Sequence, residues 1–315
     1  MSSNQSPAAA SNPTALGSGS LAGQPVRTVR SRSRSRPTAR GLAGAASGNL
    51  RITLGLAVLI LVALVALLAP YIAPQDPEAQ YAHLRLAPPG STFILGGDNL
   101  GRDVLSRLMY AGRVSLVVGL VSMAIAVVMG VVVGAASGFF GGWVDRGLMR
   151  TTDLVNVFPT FFLLILAAAT FGRSMTLLIL AIGLTAWTTN ARVVRALVLK
   201  HRNQDFITAA RVVGIGDFRI IVRHLLPLLI PIIIASATIR VAGNILVESG
   251  LSYIGLGIAE PTASWGNMVS SGVSYFRHAW WLVAFPGAAV FVVVLAFNLL
   301  GEGLRDALDP QARRR

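Results

Sequence analysis

Residues 114–144 read VSLVVGLVSMAIAVVMGVVVGAASGFFGGWV, an unbroken uncharged run between Arg113 and Asp145. At ~1.5 Å of rise per helical residue it is more than long enough for the ~30 Å hydrocarbon core of a bilayer. Lipid offers backbone groups no hydrogen-bond partner, so a run of this kind must satisfy itself as a helix. Comparable runs stand at 52–75, 154–172, 174–191 and 278–301, and another, 224–247, is interrupted only by Arg240. The expected fold is an all-α membrane protein with six transmembrane helices, in which 154–172 and 174–191 form a helical hairpin turning tightly at Arg173.

The rest of the composition agrees and narrows the chemistry. Of 315 residues, 54% are hydrophobic before the 32 glycines are counted, and only 13% are charged. Soluble domains reach about 45–50% with glycine included. Cysteine is absent, which removes disulfides, thiol nucleophiles and thiolate metal sites. His83, His201, His224 and His278 stand singly, without the spacing of a zinc site. The one lysine, Lys200, is followed by His201, so no phosphate loop of the Gly-Lys-Ser/Thr type exists. The chain is therefore expected to be no enzyme and to hold no cofactor of its own. The first run, 52–75, is too long for the apolar part of a signal peptide and begins after a long tail, so it reads as a retained helix.

Basic residues set the orientation. Six spans put both termini on one side with 145–153 and 192–223. That side carries twenty Lys and Arg, from Arg27 to Arg315, against six opposite: Arg85, Arg102, Arg107, Arg113, Arg173 and Arg277. The positive-inside rule then places both termini in the cytoplasm. The same asymmetry accounts for most of the +14 net charge without nucleic acid. Residues 1–49 lack any acidic residue and include alternating Arg and Ser at 30–36. Such a segment is expected to be a disordered basic tail lying near anionic lipid.

Outside the membrane, Asp98 or Asn99 can cap a helix whose apolar side holds Leu100, Val104, Leu105, Leu108 and Met109. Arg102, Asp103 and Arg107 take the other side, so an amphipathic helix lying at the surface is expected there, with Arg102 and Asp103 as ion pair or cap. Gly130, Gly134 and Gly138 form a ridge that admits another helix closely, from this chain or from a partner. Trp265, Trp280 and Trp281 suit an interfacial aromatic belt near the last outer loop, 249–277.

The cytoplasmic segment 200–227 is the most informative: KHRNQDFITAARVVGIGDFRIIVRHLLP. Asn203 or Asp205 can cap a short helix through Val213, Gly214 suits a left-handed C′ position, and Asp217 can start a second helix before Pro227 opens the fifth span. Phe206, Ile207, Ala209, Ala210 and Val213 are too apolar to rest in water, so a soluble partner is expected to cover them.

The order Thr208-Ala209-Ala210, Gly214, His224-Leu225-Leu226-Pro227 resembles the EAA loop of ABC importer permeases. Thr208 stands where that pattern has Glu. Leu95 to Asp98, Gly101 to Arg107, Arg113 to Leu116, Asp153 to Pro159 and Glu248 to Gly257 resemble the C-type permease of dipeptide/oligopeptide (peptide/nickel) importers, and the likeness covers roughly residues 50–310. The resemblance implies a type I ABC importer permease fold and a chain forming half of a translocation path, in the inner (plasma) membrane of a bacterial cell. It also implies as partners a second homologous permease, two cytoplasmic ATPases that bind ATP and Mg, and an extracytoplasmic solute-binding protein. Residues 203–216 would then couple to the ATPase, through Asp205, Phe206, Ile207, Thr208, Ala209, Ala210, Arg211, Gly214 and Ile215.

Span five presents Ser236, Arg240, Asn244 and Glu248 at intervals of four, hence on one slowly drifting face. A mid-span Arg costs ~2.5–3.5 kcal/mol on insertion scales, so it should face a cavity or a partner: either this face borders the translocation path, or Arg240 bonds to neighbouring helices or helix-end carbonyls. The competing reading, an ion-coupled secondary transporter, needs intramembrane acids, and Glu248 near a span end is the one available. The expected organisation is the tail at 1–49, a first helix with outer loop and amphipathic helix at 50–112, a transport domain at 113–302 with its coupling loop at 200–227, and a C-terminal cytoplasmic tail at 303–315.

Overall fold

Helix α2, Val104–Phe140, is the axis on which the other elements are placed. In the computed structural model, which describes residues 50–308, it runs unbroken for 37 residues. The predicted tails therefore lie largely outside the described residues. At ~55 Å, α2 projects well beyond a bilayer core. Its start is set by Asp103, whose carboxylate accepts from the Ser106 backbone N–H at 2.9 Å. Gly141, at φ +65°, ends it by donating to the Ser137 carbonyl. The amphipathic helix expected at the surface is thus the first turns of α2 rather than a separate element. Arg102 and Arg107, predicted to face water, are 3% and 2% exposed because Asp98, just ahead of them, and Glu260, from a distant loop, both reach them.

The remaining order is α1 (Leu50–Ile72), a 3₁₀ turn at Ala82–Leu84, then after α2 the helices α3 (Gly142–Val157), α4 (Thr160–Phe171), α5 (Met175–His201), α6 (Asp205–Val212), α7 (Asp217–Tyr253), α8 (Trp265–Val273) and α9 (Trp281–Leu308). Among the described residues there is no strand, only an isolated bridge between Gly97 and Asp103. Five of the helices are long and apolar enough to cross a membrane.

The sixth span differs from expectation. Residues 154–172 do not form one helix: α3 and α4 meet at a 76° bend. Proline disfavours helical geometry in the residue before it, and Phe158, ahead of Pro159, is extended at φ −85° and ψ 130°. The 12 residues of α4 reach only ~18 Å, so only the bent pair together can serve as a span. The hairpin to α5 is present: Gly172 turns at φ +93° and Ser174 caps α5 through the Leu177 N–H.

The glycine ridge of α2 packs inside the chain, against α5. A Cβ on Gly130 would fall 2.4 Å from the Asn190 Cβ, and one on Gly134 would fall 2.4 Å from the Ala191 carbonyl. Helix α9 closes the other side, lying on α1 and α7: a Cβ on Gly55 would meet the Ala296 carbonyl at 2.7 Å, and one on Gly301 the Ile239 side chain at 2.4 Å. Pro227 stands in the first turn of the α-helical stretch Leu226–Tyr253, as predicted, but the span does not begin there. Helix α7 starts ten residues earlier and passes through a π-helical stretch, Ile221–Leu225, whose wider turn leads into the proline's missing donor. Trp265 and Trp281 leave the expected belt as well. Both are buried, donating to the Leu108 and Gly97 carbonyls, while Trp280 alone of the three is exposed.

Candidate functional site

The loop at 200–227 folds as a corner. Helix α6 ends in a Schellman arrangement: Ile215 N–H donates to the Ala210 carbonyl and Gly214 N–H to the Arg211 carbonyl, with Gly214 at φ +81°. Only glycine adopts that conformation without strain, which is why the chain turns here. The N-cap is Gln204, and it makes no side-chain cap bond, so neither Asn203 nor Asp205 fills the expected role. Asp205 instead lies in the first turn, where a carboxylate favours the helix dipole.

The apolar residues of this corner divide between two faces. Ile207, fully buried, and Ala210 point inward, into a cluster with Phe139, Val194, Val198, Ile220 and Leu225 from α2, α5 and α7. They therefore need no partner to cover them, contrary to expectation. Phe206, Thr208, Ala209 and Val213 are exposed as expected. Two further residues that the sequence reading passed over join them: Val212 at 83% and Phe218 at 79% exposure. For Val212 the signal was present, since with Ile207 and Ala210 inward, spaced by three, it falls on the opposite side of α6. Arg211 spans the faces, its guanidinium 5.1 Å above the Phe139 ring. Ile215 is half-buried against the inner cluster.

Ion pairs tie the surrounding helix ends together. Arg195 of α5 grips Asp145 of α3 with two hydrogen bonds of 2.6 Å, and Ser137 of α2 donates to the same carboxylate. Arg192 pairs with Asp153 at 2.8 Å, and Arg202 donates to the Gly138 carbonyl at 2.9 Å. The corner thus sits on a braced end of the bundle. Partners 39 to 64 residues apart leave no local pattern, so these contacts were not legible beforehand.

The predicted path residues separate. Asn244 and Glu248 turn into the chain: Asn244 donates to the Ser122 hydroxyl at 2.8 Å, and Glu248 accepts from Ser252 at 2.8 Å and Ser115 at 3.3 Å. Both are buried. Ser236 and Arg240 are half-buried at the edge of α7, beside the exposed Gly243. At the N-terminal end of α2, Arg102 pairs with Asp98 and Glu260, and Arg107 lies between the same two acids at 3.7 and 3.9 Å. Asp103 and Arg102 are the cap and ion pair that the sequence suggested. Among the described residues no three His, Asp or Glu gather as a metal site would require.

Residues 106–314 match the model of the binding-protein-dependent transport system inner membrane component, and residues 52–89 match the N-terminal transmembrane domain of oligopeptide transport permease C. A putative peptide transport system permease protein of Brucella suis is 39% identical over 82% of this chain and 88% of its own. A di/tripeptide transport system permease protein of Pseudomonas aeruginosa is 37% identical over 82% and 88% of the two chains. A nickel transport system permease protein of Escherichia coli is 39% identical over 84% and 95%. Among solved structures, inward-facing forms of a methionine ABC transporter align with a TM-score of 0.53 at 18% identity, covering 64% of this chain and 97% of that one.

Proposed function

This chain belongs to the family of inner membrane components of binding-protein-dependent transport systems, and on that premise we propose the following division of labour. The chain is the membrane-spanning permease subunit of an ABC importer. Its solutes are di- and oligopeptides, as the names of its relatives suggest for those proteins. It pairs with a second, homologous permease, receives solute from an extracytoplasmic binding protein, and leaves ATP and Mg to two cytoplasmic ATPases. Both termini are cytoplasmic, which suits the twenty basic residues on that side. Ion-coupled transport is not favoured, since the family match points to an ATP-driven system and the intramembrane acid Glu248 is occupied by serines.

The observation that carries the coupling assignment is the two-sided corner. Its outer face is apolar and open, while its inner face is embedded in the ends of α2, α5 and α7. A partner that covers Phe206, Val212, Val213 and Phe218 can therefore move the bundle through Ile207 and Ala210. Closure of the ATPases on ATP would carry α6 as a rigid body and turn the cavity from one side to the other. The edge of α7 at Ser236 and Arg240 borders that cavity, whereas Asn244 and Glu248 hold α7 to α2 behind it.

Solubilised, tagged chain should bring down an ATPase and a second permease, and Val213→Asp should release the ATPase while leaving membrane insertion intact. Retention of the ATPase by that variant would reject the assigned surface. Reconstituted with its partners, the complex should accumulate labelled di- or oligopeptides; accumulation of none of them would reject the substrate class.

A further inference from the structure

Arg240 sits halfway along the Leu226–Tyr253 stretch of α7, ~20 Å of helix from either end. A guanidinium at that depth needs a compensating group. Among the described residues it makes no hydrogen bond and no ion pair. The nearest carboxylate along the helix is Glu248, two turns away, and it already accepts from Ser115, Ser249 and Ser252. Asn244 is engaged with Ser122, and the Ser236 hydroxyl donates to its own helix at the Ile233 carbonyl.

The flank of Arg240 is equally unusual for a lipid-facing surface. Ser236, Arg240 and Gly243 fall at intervals of four and three, on one side of α7. Gly243 is exposed, and a Cβ placed on it would meet nothing within 4 Å. Hydrocarbon tails supply no counter-charge to such a face. The site also holds a single cation, since Arg240 is the one charged residue between His224 and Val247. One positive charge with a planar fork of donors matches one carboxylate, taken through two parallel hydrogen bonds. A phosphate dianion would keep a negative charge uncompensated.

We propose that Arg240 is an anion-selecting contact inside the translocation path, and that the group it receives is a carboxylate carried by the solute. This rests on the reading that the α7 edge borders the path. A lone cation suits transit, because a contact within a path must bind well enough to admit the solute and weakly enough to release it. A peptide brings one such group at its C-terminus whatever its side chains.

The chain has no cysteine, so Ser236→Cys gives it a unique thiol one helical turn from Arg240. The complete complex, in vesicles, is treated with an anionic sulfonatoethyl or a cationic trimethylammonioethyl methanethiosulfonate, with and without ATP, and modification is read from the mass of this chain. With each rate divided by the same reagent's rate on a free thiol in water, the anionic reagent should react about tenfold faster, as a unit charge one turn away in a water-filled cavity requires. Adding Arg240→Gln should bring the two rates to parity, and Arg240→Lys should keep the preference. Ala-Ala should slow modification, and its C-terminal amide should not. If the introduced thiol is never modified, the α7 edge lies outside any aqueous path, and the path reading falls together with this one. Modification without charge preference, or with a preference that survives Arg240→Gln, keeps the path and overturns anion selection. Equal protection by Ala-Ala and its amide, or protection by neither, overturns the carboxylate.

Discussion

Phe218→Ala is the sharpest perturbation of the coupling corner. The ring is 79% exposed and lies on the same open face as Val212 and Val213, while its neighbour Ile220 is sealed in the inner cluster. Truncating an exposed side chain that supports no core contact should change the stability of the chain by no more than about 0.5 kcal/mol. Binding is a different matter. Moving a whole Phe side chain out of water contributes about 1.5–3 kcal/mol, and most of this ring is still in water to be covered. Part of that gain is offset by ordering the side chain on docking. With about 0.5 kcal/mol so offset, a net loss of ~1–2.5 kcal/mol is left, about a 5- to 60-fold weaker complex with the ATPase at about 1.4 kcal/mol per factor of ten. The measurement is a titration of the ATPase against the chain in lipid nanodiscs. Phe171→Ala serves as the control, a similarly exposed ring on the α4–α5 hairpin, outside the corner. If Phe218→Ala and Val212→Ala both leave the Kd within twofold while the chain stays folded, the open face of the corner does not receive the ATPase.

Three further outcomes follow from the packing. Gly134→Leu should lower the thermal unfolding midpoint in detergent, because its Cβ would lie 2.4 Å from the Ala191 carbonyl, and overpacking costs about 1–3 kcal/mol or more. Gly147→Ala, with open space around it inside α3, should not lower it. Asp98→Asn should cost ~3–5 kcal/mol of stability, since it leaves two buried guanidinium groups to the half-exposed Glu260. Glu260→Gln should cost distinctly less, and equal effects would argue against Asp98 as the centre of that cluster. Asp145→Ala and Arg195→Ala should be non-additive, with a coupling of about 0.5–3 kcal/mol in a double-mutant cycle of unfolding or transport. Strict additivity would mean that the pair braces nothing.

Much of the bundle was legible because hydropathy sums over a stretch of chain. The five long spans, the α4–α5 hairpin and the turn at Gly214 all follow from residues adjacent in sequence. The bend before Pro159 was readable in principle, since the proline stands inside the uncharged run, but hydropathy does not register backbone geometry. The faces of α6 were misassigned for a related reason. Phe206, Ile207, Ala209, Ala210 and Val213 are all apolar, and composition alone does not say which of them point toward α2 and α5.

The charged residues draw the line most clearly. Their count and sidedness were enough, from sequence alone, to separate a membrane protein from a nucleic-acid binder and to give it an expected orientation. Whether a given charge meets water was decided only by tertiary structure. Arg102 and Arg107 look like the wet side of an amphipathic helix, yet they are buried because Asp98 and Glu260 arrive from loops far apart in the chain. Asn244 and Glu248 look like lining, yet they close onto serines of α2 and α7. Arg240, on the same helix, is left without a partner among the described residues. Helical periodicity assigns a residue to a face, but the free energy of a charge depends on which groups the rest of the fold brings to that face.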